Sequence, residues 1–318
     1  MSRVKVFEMF LRDGLQSYKT IYNVPQKLSF LKHLQKVNYD CIEFGSTTSP
    51  KLIPQIGGSF ELWNEIKINK SFHTTKYTML VPSENHLEKV MKEDITSYGL
   101  VTSISDAFSE KNMKMNGEQS LMKAIEMCKT ILNSENSKDK HIRVYISCSF
   151  GCPWEGFTKH HIMKLKYFID TLMSLIYNYN VSPDNFDIVI ADTVGMCDEE
   201  RMKDLLSMNK DNKYLGLHMH FYSQMNNNTN RLEQNFENVV DIALDLGVEK
   251  FDTSLLGIGG CPYAKKKDGE IIGNLSTLPF IRFLEKKGLV SNLNREQLEL
   301  ADEEIYREMN TIDNSKSN

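Results

Sequence analysis

The chain has 318 residues, of which 41% are hydrophobic and 25% charged, and its formal net charge is −4. This composition is ordinary for a globular protein and makes neither nucleic acid nor a membrane surface a default partner. No run approaches about 18 consecutive apolar residues, so the sequence predicts no transmembrane helix.

Strand-like and helix-like segments alternate along the chain. Predicted strands cover residues 4–10, 41–44, part of 71–81, 98–104, 141–147, 186–191, 214–220 and 250–255. Predicted helices cover residues 25–36, 58–67, 119–132, 159–177, 198–208 and 231–246, and helical patterns continue to about residue 309. Pro25 suits the first turn of its helix, and Gly247 suits the position after a helix end.

Eight strand–helix units in series predict a parallel sheet, and eight strands are the number that closes a barrel. The alternative is an open, doubly wound sheet, which typically carries a glycine-rich phosphate turn after its first strand. Here the first strand leads into RDGLQ (residues 12–16), which is not such a turn. We therefore predict a single TIM (β/α)₈-barrel domain over residues 1–310, with a short C-terminal helical extension and a polar tail at residues 311–318.

The first predicted strand begins almost directly after Met1, so we expect neither a signal peptide nor a transit peptide. Six cysteines occur, and in a chain of this length without a secretory signal they favour free thiols over disulfides. These features predict a cytoplasmic protein.

Polar residues gather where the predicted strands end, which is where barrel enzymes carry their active sites. They include Asp13 after strand one, Glu43 at the end of strand two and Asp192 after strand six. Strand seven ends in His218 and His220. The sequence therefore predicts one divalent metal at the C-terminal mouth of the barrel, with Asp13, His218 and His220 among its ligands.

The His218-x-His220 pair is the sharpest of these signals. Residues i and i+2 of a strand share one face, so the two imidazoles can chelate one ion. A pair of hydrogen-bonded barrel histidines is the alternative. Oxygen and imidazole ligands without a thiolate suit Mg²⁺ or Mn²⁺ as well as Zn²⁺ or Fe²⁺.

Three further residues have both a functional and an ordinary interpretation. Arg12 can be a fixed cation that stabilises a developing oxyanion, or one half of a surface ion pair. Cys261 follows the glycine-rich segment GIGG and can carry a proton, or be a small loop residue. Asn274 can offer an amide oxygen to the metal, or form a turn with Gly273.

Several motifs in order resemble the 3-hydroxy-3-methylglutaryl-CoA (HMG-CoA) lyase family of metal-dependent TIM barrels. They are RDGLQ (12–16), IEFGSTTSPKLIPQ (42–55), SCSFGCPWEG (147–156), ADTVG (191–195), HMH (218–220), DTSLLGIGGCPYA (252–264) and GNLST (273–277). The resemblance covers roughly residues 4–285. The related synthases usually carry Gly-x-Gly-Glu-Arg-x-Gly-Asn in the last loop, where this chain has GIGGCPYA, so the lyase branch is favoured.

The resemblance implies an acyl-CoA substrate that is cleaved to acetoacetate and acetyl-CoA, with Mg²⁺ or Mn²⁺ as cofactor and Zn²⁺ left open. The implied metal ligands are Asp13, His218, His220 and Asn274. In the implied roles, Arg12 stabilises the enolate and Cys261 transfers a proton. Glu43 and Asp192 are implied as supporting or proton-handling carboxylates, and Lys19 as a contact for CoA phosphates. We expect no nucleic-acid or membrane partner, and a homodimer is one option for assembly.

The sequence also departs from the family pattern. The family usually continues His-x-His-Asp-Thr-x-Gly, whereas this chain has FYSQ at residues 221–224. The loop between Cys261 and Asn274 is longer than usual and contains three lysines at residues 265–267. Two alternatives therefore stay open: a related lyase or aldolase for another hydroxyacyl substrate, and a catalytically weakened binding homologue.

Overall fold

A computed structural model describes residues 3–209, 212–226, 231–260 and 271–317 of the chain. Eight parallel strands form a closed barrel, because the last of them pairs with both the seventh and the first. They are β1 (Lys5–Glu8), β2 (Cys41–Ser46), β3 (Tyr77–Leu80), β4 (Ser97–Ser103), β5 (His141–Ser147), β6 (Phe186–Asp192), β7 (Leu215–Asn226) and β9 (Lys250–Thr253). The predicted TIM barrel is confirmed.

Helices surround the barrel and bury their apolar faces against it. They are α1 (Val24–Leu34), α2 (Ser59–Ile68), α3 (Glu84–Lys92), α4 (Asp106–Met113), α5 (Gly117–Leu132), α6 (Lys159–Tyr179), α7 (Glu199–Ser207), α8 (Glu237–Asp245), α9 (Thr277–Lys286) and α10 (Arg295–Ser317). Side chains cap several helix starts: Asn23 accepts from the Gln26 amide and Asn116 from the Gln119 amide. Most predicted helices are found within a few residues, but the sequence pattern predicted neither α3 nor α4.

The C-terminal helix is longer than the predicted end near residue 309. It continues through Ser317, and the hydroxyl groups of Tyr18 and Tyr22 donate to Asp313, at 3.0 and 3.2 Å. These bonds join the end of α10 to the segment that follows β1.

The region after the seventh strand differs most from the prediction. Residues 231–246 were expected to be one helix, but the segment opens with a strand, β8 (Arg231–Gln234), which pairs antiparallel with the extension of β7. A further strand, β10 (Ile271–Asn274), pairs with the other edge of that extension. The unexpected residues 221–224 therefore belong to a three-stranded antiparallel sheet above the barrel rather than to a loop. Tertiary pairing overrides the helical periodicity of residues 231–234 here.

The first strand is also shorter than predicted. It ends at Glu8, and a single π-helical turn, Phe10–Gly14, carries Arg12 and Asp13 over the barrel mouth. Such turns are rare and are found frequently at functional sites. Within the described residues, no helix is both long and apolar enough to cross a membrane.

Candidate active site

Three predicted metal ligands meet at the C-terminal end of the barrel. Oδ2 of Asp13 lies 3.4 Å from Nε2 of His220 and 3.8 Å from Nε2 of His218. The two imidazole Nε2 atoms are 3.1 Å apart. In the part of the chain that the structure describes, these three side chains form a group able to hold one metal ion. Barrel closure brings Asp13 and the histidines together although they are distant in sequence.

The hydrogen bonds on the far side of each imidazole decide which nitrogen faces the cluster. Nδ1 of His220 lies 3.0 Å from the carbonyl oxygen of Thr193, which can only accept, so this nitrogen carries the proton. Nδ1 of His218 lies 3.2 Å from Oδ2 of Asp252, a carboxylate that likewise accepts. Both Nε2 lone pairs then point toward each other and toward Asp13. Acceptors this close repel each other unless a cation lies between them. These three side chains therefore fit a divalent metal as its ligands.

The charge of Asp13 is held by its neighbour. Burial opposes ionisation, but the Arg12 guanidinium outweighs it and holds the pKa of Asp13 well below its usual range. Arg12 Nη1 donates to Asp13 Oδ1 at 2.5 Å. For His220, burial lowers the pKa, but the hydrogen bond and the charge of Asp13 raise it by more. The cluster therefore contains a permanent anion that attracts a cation.

Arg12 is held from its other side by Glu43. Its Nε and Nη2 atoms lie 2.7 and 2.5 Å from Oε2 of Glu43. Burial raises the pKa of Glu43, although Arg12 opposes the shift. No described residue forms a hydrogen bond with the other carboxylate oxygen, Oε1. Gly99 leaves room for it, since a Cβ there would lie only 3.0 Å from Oε1. A buried carboxylate oxygen without a partner can accept a proton, or a hydrogen bond from a substrate hydroxyl group.

Asn274 joins the cluster through its amide nitrogen. This nitrogen donates to Asp13 Oδ2 and to the carbonyl oxygen of Ile258, both at 2.9 Å. The amide passes very close to Gly259, where a Cβ would lie 2.1 Å from the nitrogen and φ is +122°. Ligation through the amide oxygen requires a half-turn of this amide, so the role of Asn274 as fourth ligand stays a prediction.

The other predicted site residues lie further out. Asp192 accepts from the backbone amides of Met196 and Cys197, at 2.9 and 2.8 Å, and so holds the turn after β6. That turn includes Thr193, whose carbonyl oxygen orients His220. Lys19 is exposed in the segment between the π-helical turn and α1. Cys261 and the lysines at 265–267 lie outside the described residues.

Asp252 and Arg143 were not among the predicted site residues, and both are fully or almost fully buried in the barrel lumen. Arg143 Nη2 donates to Asp252 Oδ1 at 2.6 Å. A signal was present: charged residues recur at every second position of two predicted barrel strands, as Arg143 follows His141 and Asp252 follows Lys250. Period-2 charge on a buried strand indicates side chains that point into the lumen.

Comparisons with known proteins identify a family. The family model described as HMGL-like matches residues 3–305. The chain is 30% identical to the mitochondrial hydroxymethylglutaryl-CoA lyase of Homo sapiens, covering 99% of this chain and 88% of that protein. It is 28% identical to the cytoplasmic HMG-CoA lyase of Rattus norvegicus, over 98% of this chain and 83% of that one. It also resembles the structure of an HMG-CoA lyase from Acinetobacter baumannii in complex with coenzyme A and 3-methylmalate. That match has a TM-score of 0.74, 25% identity, and covers 94% and 89% of the two chains.

Proposed function

This chain belongs to the HMGL-like family, and from that premise we propose that it cleaves 3-hydroxy-3-methylglutaryl-CoA to acetoacetate and acetyl-CoA with the help of a divalent metal. Membership in the family makes it an HMG-CoA-lyase-like carbon–carbon lyase, as the sequence motifs predict. The observation that carries the finer proposal is the convergence of three acceptor atoms, from Asp13, His218 and His220, beside the paired guanidinium of Arg12.

Asp13, His218 and His220 would hold the metal, with Asn274 as the proposed fourth ligand. Mg²⁺ or Mn²⁺ suits this set, and Zn²⁺ suits it as well. When bound, such an ion supplies Lewis acidity to the oxygen atoms of the substrate.

Arg12 is the proposed electrostatic catalyst. Its guanidinium is always charged, and Glu43 and Asp13 fix its orientation from two sides. In the reaction a base takes the proton of the 3-hydroxyl group, and the bond between C2 and C3 breaks to leave acetoacetate and the enolate of acetyl-CoA. Arg12 stabilises the negative charge on the enolate oxygen. A proton delivered to the enolate carbon completes acetyl-CoA.

Two carboxylates and a thiol are proposed to support these proton transfers. Glu43 offers the buried Oε1 atom that has no partner among the described residues, and burial raises its pKa, so it is suited to accept a proton. Asp192 acts at a distance, by ordering the turn whose Thr193 carbonyl orients His220. Cys261, which follows the glycine-rich segment GIGG, is proposed to return a proton to the enolate.

The proposed partner is an acyl-CoA, supported by the related bacterial HMG-CoA lyase, whose structure is a complex with coenzyme A. Lys19 is proposed to contact the CoA phosphates, since it is an exposed cation in the segment that follows Arg12 and Asp13. We further propose a cytoplasmic location, a homodimeric assembly, one barrel domain, and a role in leucine and ketone-body catabolism. Both mitochondrial and cytoplasmic relatives exist.

The decisive experiment is a turnover assay with HMG-CoA. The purified chain is stripped with a chelator, reloaded separately with Mg²⁺, Mn²⁺ or Zn²⁺, and acetoacetate is measured. Acetoacetate should form with at least one metal and not with the chelated protein. An Arg12→Lys variant, which keeps the charge but not the paired geometry, should lose about 10²-fold in kcat. Absence of acetoacetate with every metal contradicts the proposal.

A related lyase for another 3-hydroxyacyl thioester is the second candidate. It is favoured by residues 221–224, which depart from the family pattern and form a strand pairing with β10 next to Asn274. A panel of 3-hydroxyacyl-CoA thioesters with different acyl groups separates the two candidates. Exclusive cleavage of HMG-CoA excludes the second, and a higher kcat/KM for another thioester excludes the first. Metal binding without turnover of any thioester would instead indicate a weakened binding homologue.

A further inference from the structure

Asp252 lies directly behind His218, on the side away from the proposed metal position. The two residues are register partners on the adjacent parallel strands β7 and β9. Oδ2 of Asp252 lies 3.2 Å from Nδ1 of His218, and Asp252 is only 2% exposed. Water therefore competes little for this carboxylate, and the imidazole is its partner on that oxygen.

Arg143 holds the other oxygen of Asp252. Its Nη2 atom donates to Oδ1 at 2.6 Å, while its Nε atom donates to Oδ2 of Asp187 at 3.0 Å. The guanidinium also lies over the ring of Phe7, 3.8 Å from the ring centre. Because Arg143 is anchored at three points, Asp252 is presented to His218 in one orientation, with Oδ2 toward the imidazole.

We propose that Asp252 is a positioning residue for metal binding: it keeps the Nδ1–H tautomer of His218, so that Nε2 stays an unprotonated ligand, and Arg143 sets which carboxylate oxygen does this. The inference rests on the metal site of the proposed function and extends it to two residues that touch neither metal nor substrate. A carboxylate behind a ligating histidine typically raises metal affinity in this way. A purely structural ion pair between Asp252 and Arg143 is the competing explanation.

The substitution Asp252→Asn separates the two explanations. Arg143 requires an acceptor, so the amide oxygen of the new side chain would face Arg143 and the amide nitrogen would face His218. Two donors then meet, and His218 relieves the clash by moving its proton to Nε2. That nitrogen can no longer bind a metal. A structural ion pair would lose stability from this substitution but would not change the intrinsic affinity of the folded protein for the metal.

The test measures Mn²⁺ binding to metal-free protein by calorimetry and electron paramagnetic resonance, in the absence of any substrate. Compared with the unsubstituted protein, Asp252→Asn should weaken Mn²⁺ binding by about 10- to 100-fold. The matched control is Asp187→Asn: Asp187 is equally buried and has no contact with His218, and the amide oxygen of the new asparagine can still accept from Arg143, so the anchor of Arg143 is kept. The control should bind Mn²⁺ unchanged in its folded fraction, and circular dichroism establishes that fraction for each protein.

Equal Mn²⁺ affinity in the unsubstituted protein and the Asp252→Asn variant overturns the inference and leaves the proposed function intact. No Mn²⁺ binding by the unsubstituted protein overturns the proposed metal site and the inference with it. Should the Asp252→Asn variant fail to fold, the unsubstituted protein decides by itself. This protein is labelled with ¹⁵N-histidine, loaded with Zn²⁺ and studied by NMR, and the His218 signal is identified by its absence from the spectrum of a His218→Gln variant. That signal should show Nε2 bound to metal and a slowly exchanging Nδ1 proton. Coordination through Nδ1 would refute the inference.

Discussion

The two ends of the barrel lumen both bury several charged residues, but they use them differently. At the N-terminal end, Asp187 accepts from His141, Arg143 and Lys250, at 2.9, 3.0 and 2.5 Å. At the C-terminal end, the Nε2 atoms of His218 and His220 lie 3.1 Å apart and only Asp13 joins them, since no other described residue donates a hydrogen bond to either nitrogen. Burial is therefore the same at both ends, whereas hydrogen-bond satisfaction differs.

The protonation states at the N-terminal end fit a closed structural network. Burial lowers the pKa of His141 to about 4, against the opposing effect of Asp187, so this imidazole is neutral at pH 7. Burial opposes ionisation of Asp187, but His141 and Lys250 outweigh it and the pKa of Asp187 is lowered. The negative charges of Asp187 and Asp252 balance the positive charges of Arg143 and Lys250. Buried charge by itself does not mark a functional site; acceptors left without donors do.

The largest effect on activity is expected from His220→Ala at the C-terminal end. Loss of this proposed metal ligand should reduce kcat/KM on the order of 10³-fold or more, because a bound metal would supply several kcal/mol of transition-state stabilisation. Stability of the metal-free protein should change little, because the substitution also removes one of the facing acceptors. Urea unfolding and turnover are measured on the same preparation. A large loss of stability with activity retained would reverse the comparison.

The converse is expected for Asp187→Asn at the N-terminal end. Removing one partner of a buried ion network typically costs about 3–5 kcal/mol of unfolding free energy, since the buried charge of Lys250 would lose its carboxylate partner. Turnover per folded molecule should stay the same, because Asp187 contacts no proposed ligand. Chemical denaturation measures the loss of unfolding free energy, and activity normalised by active-site titration measures the turnover per folded molecule. Intact stability together with lost turnover would disprove the structural role.

Glu8 sharpens the comparison, because it lies near the barrel mouth and yet is satisfied like the N-terminal network. Its oxygens accept from the amides of Phe10 and Leu255 and from the Thr277 hydroxyl. Burial nevertheless raises the pKa of Glu8 to about 7 from 4.5. The contribution of Glu8 to the free energy of unfolding is therefore fully present below pH 4.5 and is lost as the pH rises through 7. The loss is about 3 kcal/mol, at 1.36 kcal/mol per pKa unit.

A Glu8→Gln variant, which imitates the protonated carboxyl, should lack this loss. The difference in unfolding free energy between the variant and the unsubstituted protein is measured by urea titration at pH 4.5 and pH 7.5. It should move in favour of the variant by about 3 kcal/mol at the higher pH. A difference that does not depend on pH would mean that Glu8 keeps an ordinary pKa.

The smallest effect is expected at Asn274, whose amide nitrogen donates both to Asp13 in the cluster and to the backbone carbonyl oxygen of Ile258. Asn274→Ala removes the donor to Asp13 and any ligation by the amide oxygen, so Mn²⁺ affinity should fall about tenfold, the lower limit for a residue that orients a ligand. Asn274→Asp distinguishes the roles, since a carboxylate can ligate a metal but cannot donate to Asp13. Affinity retained by the Asp variant indicates a ligand, and equal losses in both variants indicate a hydrogen-bond donor.

Local sequence patterns predict a large part of this fold. The alternation of strand and helix signals predicts the barrel, because each element buries one face at its own period. The two-residue spacing of His218 and His220 places both imidazoles on one face of β7. For residues 221–226 and 231–234 the prediction was wrong, because strand pairing rather than a local period determines their structure. Residues 220–223 pair with β10, which lies far along the chain, and residues 223–226 pair with residues 231–234.

By itself, the sequence determined the eight-stranded barrel, the mouth at which polar residues gather and the three ligand candidates Asp13, His218 and His220. Only the tertiary structure decided which nitrogen of each histidine faces the cluster and which way the amide of Asn274 points. It also decided that Asp252 and Arg143 belong behind the site, whereas Asp187 belongs to the closed network below it. The physical reason is that periodicity assigns a side chain to a face, but whether its hydrogen-bonding capacity is used depends on partners that only barrel closure brings within reach.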